Sequence, residues 1–156
     1  MRALLFGLLL LPGPAVAQPR PFNCIGAEQL EDDVWAVPFA RGADRLTEAG
    51  RAAIEAASAL IKDQPDRNVC VLGHADRGQG AQTSIELAAR RARAVSTSLS
   101  QQGIERDRIR AEARVGAYSG RGAEPGARAV TIVVMPPEPP QPVPAPPPRP
   151  GDEARR

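Results

Sequence analysis

The chain has 156 residues, 42% of them apolar but only 3% aromatic, and a formal net charge of +2. That length suits one folded domain with a modest core. All but one of its 20 basic residues are arginines, interspersed with acids rather than gathered into a stripe, which argues against a nucleic-acid partner.

Met1–Ala17 (MRALLFGLLLLPGPAVA) combines a basic Arg2, an apolar run, helix-breaking Pro12 and Pro14, and small residues at Ala15 and Ala17. This is the pattern of a secretory signal peptide. The apolar run falls far short of the ~20 residues that cross a bilayer, and no later segment reaches that length. An exported mature chain without a transmembrane helix is therefore expected. Residues 18–33 form an N-terminal segment too short for two outer-membrane barrel strands of ~9–11 residues each, which implies a free-standing domain. Cys24 follows Arg20-Pro21-Phe22-Asn23 rather than the small residues that precede a lipidated cysteine, so lipidation is not expected. Two cysteines and the single His74 cannot supply the four ligands of a structural zinc, and no metal or cofactor is expected.

The folded part is read as 34–135. Val34–Ala40 is a short apolar run broken by Pro38, suited to an edge strand. Thr47 caps a helix in which Ala53, Ile54, Ala57, Leu60 and Ile61 recur at helical spacing, and Pro65 ends it. Val69–Gly73 is continuously apolar, as a central strand covered on both faces should be. A second helix is expected to begin near Thr83, with Glu86 completing a capping box, a stripe of Ile85, Ala89, Ala92, Val95 and Leu99, and a stop at Gly103. Ile109–Val115 alternates as a half-buried strand, and Ala129–Val134 is the last strand. The order strand, helix, strand, helix, strand, strand predicts a two-layer α/β sandwich with both helices on one face of a small mixed sheet. Ten of the 17 prolines then fall between Pro136 and Pro150, making 136–156 an extended, proline-rich, disordered tail.

Gly73-His74-Ala75-Asp76, followed by Ser84, Leu87, Arg91-Ala92 and Ala94-Val95, resembles the peptidoglycan-binding OmpA-like C-terminal domain family, the type found in OmpA, Pal and MotB. There a strand ends in Gly-His-Thr-Asp and the next helix carries Asn-x-x-Leu-Ser-x-x-Arg-Ala-x-x-Val. The similarity runs from Val37-Pro38-Phe39 to Arg128-Ala129-Val130-Thr131-Ile132. The chain departs from the pattern at Ala75, Ser84, Ala88 and Ala127, where the family has polar residues. The resemblance implies non-covalent binding of peptidoglycan through the diaminopimelate of its stem peptide, gripped by Asp76 and Arg91. Ala75, Ser84 and Phe39 would line the pocket and Arg128 would make a secondary contact. The implied location is the periplasm, at the cell wall or outer membrane, with envelope proteins as further partners.

The chemistry suits that pair independently of the resemblance. The free end of diaminopimelate is an ammonium beside a carboxylate, so its receptor needs an anion and a forked cation. The planar fork of an arginine meets a carboxylate with two parallel bonds, and amides at a helix start also favour the anion. His74 is read as structural, and Trp35 and Tyr118 as core and rim. No nucleophile has a base beside it, so an enzyme is not expected. The substitutions at Ala75, Ser84 and Ala127 motivate the alternative: a degenerate scaffold that docks a protein partner without binding the wall. Export, the even cysteine count and the position of Cys70 in the central strand predict a Cys24–Cys70 disulfide pinning the N-terminal segment to the sheet.

Overall fold

In the computed structural model, residues 21–75, 84–116 and 129–138 are described. The signal-peptide segment and most of the proline-rich tail lie outside them, as do Asp76, Thr83, Tyr118, Ala127 and Arg128. The elements are β1 (Val34–Val37), α1 (Glu48–Asp63), β2 (Val69–Ala75), α2 (Ile85–Gln101), β3 (Ile109–Val115) and β4 (Val130–Val134), with single 3-10 turns at Ala27–Gln29 and Arg106–Arg108. They form an α/β sandwich on one mixed sheet in the order β1-β4-β2-β3. β4 runs antiparallel to β1 and β2, whereas β2 and β3 are parallel. β1, β2 and β3 therefore all end at the same pole.

Local chemistry fixes the helices. Thr47 caps α1, its Oγ1 accepting from Gly50 N at 3.0 Å while its own hydroxyl donates to Pro38 O. α2 is capped by Ser84, one residue later than expected, its hydroxyl accepting from Leu87 N at 3.1 Å. That shift makes Glu86 the second helical residue rather than the reciprocal partner of a capping box. At the other end Gly103 takes φ +94°, and Ile104 N and Gly103 N return to Leu99 O and Ser100 O. This is a Schellman stop, a left-handed conformation that glycine adopts without strain.

The sheet has two covered faces. Val69 and Val71 of β2 and Val130, Ile132 and Val134 of β4 meet Ile54, Ala57 and Ile61 of α1 and Ala92, Val95 and Leu99 of α2 in one buried cluster. Each such aliphatic side chain stabilises the fold by roughly 1.5–3 kcal/mol relative to exposure. On the opposite face Cys70, Leu72 and Val133 pack under Cys24 and Ala27 of the N-terminal segment. A Cys24–Cys70 disulfide, Cα atoms 5.8 Å apart, joins that segment to the sheet.

Two expectations need correction. The buried stripe of α2 is Leu87, Ala88, Arg91, Ala92, Val95 and Leu99; Ile85, at the first position of the helix, is 40% exposed. β3 has no cleanly buried face, because it is an edge strand and its charged side is occupied. Arg110 donates to Phe22 O, and Arg114 donates to Cys24 O at 2.7 Å and pairs with Glu28 and Glu112, so these side chains hold the N-terminal segment.

Candidate functional site

The site predicted from sequence would sit at the pole where β1 and β2 end. Two features bring α2 to it. A Cβ built on Gly73 would lie 2.2 Å from Ala88 O and 3.2 Å from Ala92 Cβ, so only a glycine lets the helix lie this close to β2. Helical side chains also lean toward the helix N-terminus, which carries Arg91 toward the pole rather than away from it.

Arg91 is only 4% exposed. Its Nε donates to Ala43 O at 2.7 Å and its Nη2 to Ala40 O at 3.0 Å. Both acceptors belong to a turn closed by Ala43 N donating to Ala40 O, with Gly42 at φ +70°. The ring of Phe39, whose segment pairs back with Leu46, lies 5.3 Å from the guanidinium carbon, within cation–π range. Next to it Arg90 pairs with Asp44 at 2.9 Å, tying the same loop to the helix a second time.

Burial pushes the Arg91 guanidinium below its ordinary pKa, the nearby Asp44 carboxylate opposes that shift, and Arg90 adds to it. The two hydrogen bonds use the side-on edge of the guanidinium. Among the described residues none accepts a bond from Nη1; the end-on edge, Nη1 with the second hydrogen of Nη2, has the geometry to meet a planar acceptor.

The other predicted residues divide. Ala75 ends β2 buried on the helix side of the sheet, as its alternation with Val71 and Gly73 requires. Ser84 is exposed and its hydroxyl serves as the helix cap. Ala88 lies under Gly73, fully buried, so an alanine there bears on strand–helix packing rather than on the pocket edge. His74, buried, alternates to the opposite face of the sheet, its Nε2 2.8 Å from Thr131 Oγ1. Arg91 is brought together with Phe39; Asp76 follows Ala75 directly but, like Arg128, lies outside the described residues.

Sequence reasoning missed two other working arginines. Arg108, 1% exposed, donates to the carbonyls of Ile61, Gln64 and Arg67 and pairs with Glu105. Arg67 donates to Val134 O and Met135 O and pairs with Asp33. Neither carries a spacing signal, because an arginine that binds backbone carbonyls reads in sequence like a solvated one.

The tight Gly73 contact thus sets a buried arginine at the pole of an α/β sandwich where β2 ends. The sequence profile of the OmpA family matches residues 38–130, and the chain belongs to that family. Among solved structures it is similar to the OmpA-like domain of FopA1 from Francisella tularensis subsp. tularensis SCHU S4, with 25% identity, 65% of this chain and 73% of that one covered, and a TM-score of 0.53. It is also similar to a MotB-like protein from Desulfovibrio vulgaris (21% identity, 63% and 67% covered, TM-score 0.52). A third is the peptidoglycan-associated lipoprotein from Burkholderia pseudomallei (19% identity, 65% and 90% covered, TM-score 0.51). At those lower identities the likeness is one of fold. Among curated proteins no match is found. No helix among the described residues is long and apolar enough to cross a membrane.

Proposed function

We propose that this domain binds peptidoglycan non-covalently through the diaminopimelate of the stem peptide and so holds its protein at the periplasmic wall or outer membrane. Domains of this family are generally peptidoglycan-associated, non-enzymatic anchoring modules of the envelope. Arg91 meets the diaminopimelate carboxylate and Asp76 the adjacent ammonium, with Phe39, Ala75 and Ser84 around them and Arg128 as a secondary contact. The observation that supports this reading most is the Arg91 guanidinium itself. It is buried and braced along one edge by neutral carbonyls, and no described residue accepts a bond along the other, the edge that can form two parallel bonds to a carboxylate.

Co-sedimentation of the exported protein with isolated sacculi tests the proposal. The wild type should pellet with the sacculi and Arg91→Ala should largely remain in solution. If the folded wild type ignores both sacculi and millimolar free stem peptide, wall binding is wrong, and a scaffold that docks a protein partner takes its place.

A further inference from the structure

We propose that the turn Ala40–Ala43 is the specificity element of this site, restricting Arg91 to an ionised carboxylate and rejecting the corresponding carboxamide. The inference rests on the reading of Arg91 as the carboxylate's partner and adds what selects the ligand's ionisation state.

A guanidinium has two edges that can form paired bonds, one from Nε and Nη2 and one from Nη1 and Nη2. The turn occupies the first with Ala43 O and Ala40 O, and the guanidinium carbon lies over the Phe39 ring, so the second edge has a fixed direction. Both acceptors are neutral. Among the described residues the carboxylate acting on Arg91 is Asp44, and its Oδ2 is engaged by Arg90. The turn thus orients the cation without neutralising it, in surroundings where charge is poorly solvated. An arriving carboxylate supplies a negative charge and two acceptors. A carboxamide supplies one acceptor, no charge, and an NH2 facing an N–H donor.

The positioning residue is Gly42. Its φ of +70° shapes the turn, yet a Cβ placed there meets nothing within 4 Å. Substitution therefore acts through the backbone alone: asparagine tolerates the left-handed region, whereas a β-branched residue is strained in it.

The experiment compares two stem tripeptides, one with the free diaminopimelate carboxylate and one amidated there, by calorimetric titration into wild type, Gly42→Asn and Gly42→Val, with circular dichroism as a check on folding. Charge-assisted bonds are about twice as strong as neutral ones, so wild type and Gly42→Asn should prefer the carboxylate by about tenfold or more. Gly42→Val should lose most of that preference while still binding both peptides. Gly42→Ala, which meets the left-handed penalty of a Cβ without the added branching, replaces it if the valine variant does not fold. A merely structural role for the turn would weaken both peptides alike and leave their ratio intact. An unchanged ratio in the folded valine or alanine variant, or equal binding of both peptides by wild type, overturns the specificity role alone. A wild type that binds neither peptide overturns the functional reading beneath it.

Discussion

Each pole of the sheet is built around a buried arginine, and the two are used differently. At the pole where β2 begins, Arg108 is 1% exposed and surrounded by the carbonyls of Ile61, Gln64 and Arg67, with Glu105 offsetting its charge. At the pole where β2 ends, Arg91 is nearly as buried, yet its acceptors among the described residues are two carbonyls along one edge. Burial of a guanidinium is therefore no sign of function by itself. What separates a structural brace from a candidate binding group is how many donors are already paired and whether a carboxylate balances the charge.

The comparison is broken most severely at the closed pole. Arg108→Met takes the guanidinium donor from three carbonyls, of which Gln64 O keeps a bond from Arg67 N, and should destabilise by about 3–5 kcal/mol in urea unfolding. Replacing both Cys24 and Cys70 by serine reopens a loop with a sequence separation of 46, at a cost of roughly 4 kcal/mol on the chain-entropy model. The same substitution should free the N-terminal segment to limited proteolysis. Gly73→Ala forces α2 away from β2; overpacking of this kind costs about 1–3 kcal/mol, and here it should also weaken ligand binding because Arg91 moves with the helix.

At the open pole the balance reverses. Arg91→Ala removes two hydrogen bonds and should cost only about 1–2 kcal/mol of stability, yet weaken peptide binding about ten- to a hundredfold. Arg91→Lys should restore little of it, since an ammonium cannot hold the turn and a carboxylate in one plane. The smallest effect is expected at Glu86, an exposed carboxylate at the start of α2. A hydrogen bond from its own backbone amide, then one from Ser84, hold it below its ordinary value near 4.5. A depressed carboxylate contributes stability above its unfolded pKa and loses it as pH falls through the folded one. The small advantage of wild type over Glu86→Gln should therefore be present at neutral pH and vanish in acid, as read from thermal midpoints across pH.

Much of the fold was legible because its signals are local. Thr47 before an amphipathic run, Gly103 after one, and the unbroken VCVLG of β2 each fix an element through the nearest few residues. The first turns of α2 were less legible: Ala92, Val95 and Leu99 lie in the buried stripe as expected, but Ile85 is exposed, and Leu87, Ala88 and Arg91 are buried instead. The charged side of β3 misled for a similar reason, since only the third dimension shows Arg110 and Arg114 gripping the N-terminal segment. For the site, the sequence pointed to Arg91 and Phe39 and the structure brings them together. The turn that holds Arg91 was invisible, because its contribution is two backbone carbonyls and a glycine rather than a recognisable side chain.

The most direct test is a calorimetric titration of a diaminopimelate stem peptide into wild type and Arg91→Ala, with thermal midpoints measured on the same samples. Saturable binding by wild type, about ten- to a hundredfold weaker in a variant that stays folded, is the predicted result. Equal affinity in the two proteins would contradict it, and Arg91 would then be a second structural brace like Arg108.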